Sequence, residues 1–251
     1  MKETLRIGAR PSPLSLKQAD EIKGIFPSID FEVIIYQTQG DRDKHTPFAQ
    51  FEGSDFFTRQ LEDALLKKEI DVAVHSAKDL EENLASGLWL WQTEAKPWPS
   101  GLTIAAITAS ISPYECLVSR GNRLLDGLKP GSRVATSSSK RKTALLRYRS
   151  DLKICDVRGN IEERLYQLDA GKFDALIVAH AALIRLGLED RIAEIISPGI
   201  IAPHPLQGSL ALQVRSDNKR LIDLFSEVSN TPRLLARPNW NGSAFASWRR
   251  I

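Results

Sequence analysis

The sequence predicts an α/β protein built on mixed, mostly parallel sheets, and three observations carry that expectation. Short apolar runs of strand length recur along the chain, with amphipathic stretches of helical spacing between them. Two of these runs, IDVAV and ALIVA, are almost wholly apolar instead of alternating, as strands covered on both faces are. The alternation itself is the rhythm of βαβ units, whose crossover helices cover a sheet.

The elements follow in order. Residues 5–9 read as a strand. Residues 13–25 read as a helix with Ser12 as N-cap and Pro13 in the first turn, where a missing N–H costs nothing. Residues 31–37, rich in β-branched and aromatic side chains, read as a strand. Residues 55–68 place Phe57, Leu61, Ala64 and Leu65 on one helical face. A buried strand is expected at 70–75, then strands at 102–107, 115–118 and 133–136, and a helix from about Ser138 to Arg149. Next come a strand at 152–157, a helix at 161–168 and a strand at 175–179. Helical segments are expected at 181–186 and 190–196, a strand at 210–214 and a helix at 221–228.

Two segments break the rhythm. Residues 84–101, LASGLWLWQTEAKPWPSG, carry two similar phrases and read as an insertion; the tail, 237–251, has no clear period. All five tryptophans, Trp89, Trp91, Trp98, Trp240 and Trp248, lie in these two segments. Such large side chains suit the covering of apolar surface, within one chain or across a homodimer.

Composition narrows the function. With 251 residues the chain holds one domain or two, and 42% hydrophobic with 26% charged residues is ordinary for a globular protein. A net charge of +3 is too small for whole-surface nucleic-acid binding, so any functional basic patch is local. Cys116 and Cys155 form no CxxC and no Cys/His cluster, which argues against a disulfide framework or a metal site. The N-terminus has no signal-peptide pattern and no run approaches a membrane span, so a cytoplasmic protein without membrane or nucleic-acid partners is expected.

Four constellations can carry chemistry. In RIGARPSPLSLKQAD a strand ends at Arg10 and a helix opens at Ser12, a plausible anion site; the plainer alternative is a capped helix with a surface arginine. In VAVHSAKDLEEN a buried strand delivers His75, Ser76, Lys78 and Asp79 at its carboxyl end, where open α/β sheets bind ligands. Lys78 can pair with a carboxylate, and Asp79 can stabilise a developing cation or exchange a proton; alternatively these residues only cap a helix. In VATSSSKRKTALLRYR, Thr136, Ser137, Ser138, Lys140 and Arg141 meet at a helix start. Positive charge there opposes the helix dipole unless an anion binds; a basic solvated turn is the alternative. In ICDVRGNIEERL, Arg158, Gly159 and Asn160 sit at a strand-to-helix turn with Arg164 beyond; a plain β–α turn is the alternative. Arg185 in ALIRLGL reads by itself as a surface residue.

Taken together and in order, RIGARPSPLSLKQA, TQGD, HSAKDL, TSSSKR, DVRGNIEERL and LQGSLALQ resemble the motifs of the porphobilinogen deaminase (hydroxymethylbilane synthase) family over about residues 4–235. The resemblance implies a two-domain, type II periplasmic-binding-protein-like fold. Domain 1 would comprise residues 1–107, with 84–101 inserted, plus 205–230; domain 2 would comprise 108–204. An irregular tail, 231–251, would stand in place of a third domain.

It also implies the reaction: condensation of four porphobilinogen units, with loss of ammonia, into a linear tetrapyrrole for porphyrin and heme. A non-catalytic pyrrole or polycarboxylate binder is the alternative. Asp79 matches the catalytic aspartate. Arg10, Lys78, Lys140, Arg141, Arg158, Arg164 and Arg185 match carboxylate-binding residues, and Ser12, Thr136, Ser138 and Asn160 match polar contacts. Lys140 stands where the family usually has arginine, and in the loop 51–57 Ser54 stands where it typically has lysine. A dipyrromethane cofactor is implied, but its usual cysteine motif is not in the sequence. The attachment point is therefore unknown, with Cys155 the better candidate of the two thiols. A monomer or homodimer is expected.

Overall fold

The computed structural model describes residues 4–42, 58–80 and 99–229. The loop 51–57 with Ser54, nearly all of the insertion and the tail after Ser229 lie outside the described residues. So do the five tryptophans.

Two five-stranded sheets organise the described residues. The first is built from β1 (Thr4–Ala9), β2 (Asp30–Ile35), β3 (Val72–Ser76), β4 (Leu102–Ile107) and a late strand, β10 (Leu210–Arg215), in the order β2-β1-β3-β10-β4. The second uses the segment between: β5 (Glu115–Ser119), β6 (Arg133–Ala135), β7 (Lys153–Cys155), β8 (Ala175–Ala179) and β9 (Glu194–Ile196), in the order β7-β6-β8-β5-β9. Both sheets are mixed in the same way. Three strands run parallel at one side, and the strand arriving from the other sheet, β10 or β5, inserts antiparallel beside them. A further antiparallel pairing follows in each, β10 with β4 and β5 with β9, so the sheets are less parallel than the βαβ rhythm suggests.

Helices cover both faces, which is why the central strands are apolar throughout. On one face of the first sheet, α1 (Pro13–Ile25) and α7 (Lys219–Ser229) bury Ile22 and Phe225 against Val72, Val74, Leu210 and Leu212. Phe26 and Phe225 meet edge to face at 5.2 Å. On the other face, α3 (Arg59–Leu66) buries Leu61 and Leu65 against Ala73 and Ala211. A short helix, α2 (Gln39–Arg42), precedes it. In the second sheet α5 (Ile161–Asp169) and α6 (His180–Leu186) pack on one face, and α4 (Ser139–Tyr148) packs on the other through Leu145.

One expected helix is a strand. Residues 190–196 form the end of a 3-10 turn (Glu189–Arg191) and then β9, not a helical segment. Tertiary pairing overrides local spacing here: Glu194 and Ile196 lie opposite Leu117 and Glu115, the Glu194 carboxylate accepts the Leu125 N–H at 2.6 Å, and Ile196 enters the core.

The sheets are joined by two crossovers, β4 to β5 and β9 to β10, which are bonded to each other. Thr108 and Leu210 pair through backbone and Thr108 Oγ1, and Ser110 Oγ donates to the Gln207 carbonyl at 2.6 Å. Gln207 Nε2 donates to the carbonyls of Pro113 and Tyr114. Beside this hinge, Arg185 on α6 forks onto Glu21 on α1 at 2.6 and 3.1 Å and also donates to the carbonyl of Gly208 in the second crossover.

Candidate ligand-binding cleft

The carboxyl ends of β1, β3, β6 and β7 carry the residues singled out in the sequence, except for Arg164 on α5 and Arg185 on α6. β3 ends in Ser76, and a 3-10 turn, Ala77–Asp79, follows at once. This turn leaves Asp79 exposed and Lys78 half-buried, with Lys78 Nζ donating to Gln207 Oε1 at 3.1 Å. Across from it, Ser138 caps α4 by accepting from the Arg141 N–H, and Thr136, fully buried, accepts from the Ser138 N–H. Asn160 caps α5 in a reciprocal capping box with Glu163, and Gly159 supplies the positive φ of +101° that lets the chain turn into it. Ser12 likewise caps α1, accepting from the Ser15 N–H. The four polar residues predicted as ligand contacts are thus engaged at helix starts or in the turn before one.

The basic residues divide into two groups. Arg10, Arg141 and Arg185 each hold a carboxylate. Arg10 forks onto Asp41, which also accepts from the Thr38 N–H and Oγ1; these hydrogen bonds and the Arg10 charge hold the Asp41 carboxyl below its ordinary range despite its burial. Arg141 binds Glu115 at 2.6 Å, both largely buried. The charge at the start of α4 is therefore offset partly from within, by β5. Arg185 belongs to the clasp with Glu21. In contrast, Lys78, Lys140 and Arg164 form no salt bridge among the described residues. Arg164 Nε donates to the Gly159 carbonyl at 2.8 Å.

Lys78 stands in the field of Arg164 across the two sheets. Burial, then Arg141, hold the Lys78 ammonium below its ordinary range; Arg164 adds to this, while Asp79 and Glu115 oppose it. Burial, then Arg141 and Arg158, push the Arg164 guanidinium down to about 10. Arg10 and Asp79 both act on His75, a buried ring whose Nε2 lies 2.9 Å from Gln213 Oε1 and which burial pushes down to about 4. Gln213 in turn donates to the buried Glu62. Lys140 is exposed on the second wall and shares a neighbour, His204, with Lys78 and Asp79. Lys78, Arg141, Arg164 and Arg158 thus form a chain of interacting cations with Asp79 acting on Lys78, whereas Arg10 and Lys140 are linked to it through His75 and His204. A shallow concavity of about 560 Å³ along α5 reaches Arg158 and Gly159 but includes neither Lys78 nor Asp79, so the charge pattern locates the site better than volume does.

Several participants escaped sequence reasoning. Asp41 and Gln207 lie inside the quoted motifs TQGD and LQGSLALQ, which was a usable signal. Gln18, whose Nε2 donates to Ser76 Oγ at 2.9 Å, likewise lies inside the quoted motif RIGARPSPLSLKQA. Glu115 and His204 carried no signal of their own.

Neither thiol suits a reactive role. Cys116 is fully buried with its S–H toward the Val178 carbonyl, and burial pushes it up to about 12. Cys155, at the end of β7, is half-buried and also raised by burial. With iodoacetamide at neutral pH, Cys155 is expected to alkylate before Cys116, and Cys116 to stay unmodified in the native protein by intact mass. Faster labelling of Cys116 would contradict the burial argument. Among the described residues no three His, Cys, Asp or Glu side chains converge as metal ligands, and no helix is long and apolar enough to cross a membrane.

Two similarly wired sheets, two crossovers and a polar cleft between them define a type II periplasmic-binding-protein-like fold. A nutrient binding protein from Burkholderia cenocepacia bound to methionine aligns with a TM-score of 0.50 at 13% identity, covering 92% of this chain and 93% of that one. The VFT2 domain of Bordetella pertussis BvgS aligns with a TM-score of 0.50 at 14% identity, covering 91% and 88%. At such identities the likeness concerns the fold alone. The chain belongs to the porphobilinogen deaminase family: the family model "Porphobilinogen deaminase, dipyromethane cofactor binding domain" matches residues 5–223. The porphobilinogen deaminase of Dichelobacter nodosus is 40% identical over 219 residues, 86% of this chain and 67% of that protein. That of Pelotomaculum thermopropionicum is 36% identical over 240 residues, 94% of this chain and 72% of its own length.

Proposed function

We propose that the cleft binds porphobilinogen and a dipyrromethane primer, and that the chain is a transferase of porphyrin biosynthesis catalysing the hydroxymethylbilane synthase reaction. The observation that carries this reading is the grouping of Lys78 with Arg141, Arg158 and Arg164 of the second sheet, with burial and neighbouring positive charge holding Lys78 and Arg164 below their ordinary ranges. Such a cluster is relieved by a ligand with several carboxylates, and each pyrrole unit brings an acetate and a propionate. Lys140 and the starts of α4 and α5 add positive potential to the same wall. The donor set therefore fits a dipyrromethane, which when bound supplies the nucleophilic pyrrole carbon for chain growth. Lys78, Arg158 and Arg164 would hold its carboxylates.

Asp79 takes the chemical role. Loss of ammonia from porphobilinogen leaves an electron-poor, azafulvene-like cation, and a carboxylate beside it stabilises charge absent from the ground state. Lys78 and Gln207 position the turn that carries Asp79. Arg10 and Arg141, fixed by Asp41 and Glu115, add charge to the two walls. Arg185 ties the walls together through Glu21 and the Gly208 carbonyl.

Calorimetric titration with porphobilinogen tests the binding claim. Lys78→Ala and Arg164→Ala are each expected to weaken binding by about tenfold or more, since each removes a charge-assisted hydrogen bond. Unchanged affinity in both variants would overturn the reading.

A further inference from the structure

The second crossover places one titratable ring in the cleft that none of the roles above uses. His204 lies between β9 and β10, flanked by Pro203 and Pro205, and is half-exposed. Its Nδ1 accepts the Leu206 N–H at 3.1 Å. That bond fixes the neutral tautomer: the proton sits on Nε2, and Nε2–H is the polar edge left for another partner. The ring stands in the field of Lys140 from the second sheet and of Lys78 and Asp79 from the first. The His204 carbonyl accepts the Gln207 N–H at 2.9 Å, and Gln207 Oε1 in turn accepts from Lys78 Nζ at 3.1 Å, which seats His204 beside the turn that carries Lys78 and Asp79.

We infer that His204 is a further ligand-contacting residue of the cleft, donating a hydrogen bond from Nε2 to a carboxylate of the bound pyrrole beside Asp79. The inference rests on the proposed porphobilinogen site and adds a residue to it. The site otherwise presents charged donors. A neutral imidazole held by a backbone N–H offers a directional donor without adding to the repulsion among Lys78, Lys140 and the arginines. Burial, then Lys140 and Lys78, push the ring down to about 4, with Asp79 opposing, so the donor form persists at neutral pH. An anion bound at Nε2 favours the protonated ring and must raise that value. The crossover would thereby report the ligand directly to the hinge, since Leu206 and Gln207 follow at once.

Two measurements on the full chain test this. Porphobilinogen titrations are run on wild type, His204→Ala and His204→Gln; glutamine keeps a donor near the Nε2 position. His204→Ala is expected to bind about tenfold more weakly, with His204→Gln recovering most of the loss, since a hydrogen bond to a charged group is involved. In wild type, the His204 ring resonances followed by NMR against pH are expected to shift to a higher midpoint when porphobilinogen is saturating. If wild type binds porphobilinogen but neither His204→Ala nor the ring midpoint responds, the inference falls and the proposed function stands. If wild type does not bind porphobilinogen, the proposed function falls and this inference falls with it.

Discussion

Asp79→Asn is expected to lower porphobilinogen turnover by well over tenfold, toward the hundredfold typical of losing a group aimed at developing charge. The fold should be untouched. Asp79 is exposed at the end of a three-residue 3-10 turn, and asparagine is nearly isosteric, so the melting temperature should move by no more than about 2 °C. Binding should persist as well, because the proposed site holds the ligand's carboxylates with cations on both walls and not with Asp79. The distinguishing pattern is a collapse in turnover with affinity and stability retained. Wild-type turnover in Asp79→Asn would remove the residue from the chemistry.

The second large effect is expected at Gly208, in the hinge. Its φ of +85° disfavours any L side chain, and an added Cβ would overlap the Ser112 carbonyl oxygen and Ser110 Oγ on the opposite crossover. The Gly208 carbonyl also receives Arg185 and the Ile111 N–H, so the backbone cannot shift without breaking those bonds. Gly208→Ala should therefore cost about 3 kcal/mol or more, a fall of about 6–12 °C in melting temperature for a chain of this size. A melting temperature within about 2 °C of wild type would show that the two crossovers yield more easily than their hydrogen bonds imply.

The elements with strong local punctuation were legible in the sequence. Ser12 and Pro13 mark the start of α1, and the expected span, Pro13–Ile25, is the observed one. The apolar runs Leu102–Ile107 and Ala175–Ala179 likewise match their strands, since runs of this length rich in β-branched residues favour a strand over a buried helix. β9 was not legible, because its strand character comes from pairing with β5 and not from its own residues. The even balance of parallel and antiparallel ladders was hidden for a related reason: which sheet β5 and β10 join is decided by the crossovers.

At the site, residue types at strand ends and helix starts pointed to Lys78, Asp79, Lys140, Arg141, Arg158 and Arg164. Their carboxylate partners did not show. Arg10 meets Asp41, and Arg141 meets Glu115, only after the chain has folded back. Arg185 looked like one more anion ligand by resemblance, whereas its guanidinium lies against Glu21 between the lobes. His204 carried no motif; only the hydrogen bond at Nδ1 and its neighbours on both walls single it out.

In the proposed function the cations of this cleft hold pyrrole carboxylates while Asp79 supports loss of ammonia. Incubating the purified chain with porphobilinogen, while following released ammonia together with aldehyde-reactive pyrrole chains, tests it most directly. The expected result is ammonia released in step with porphobilinogen consumed, a linear tetrapyrrole as product, and loss of both in Asp79→Asn. Binding of porphobilinogen without any release of ammonia would contradict the account and leave the cleft as a binding site alone.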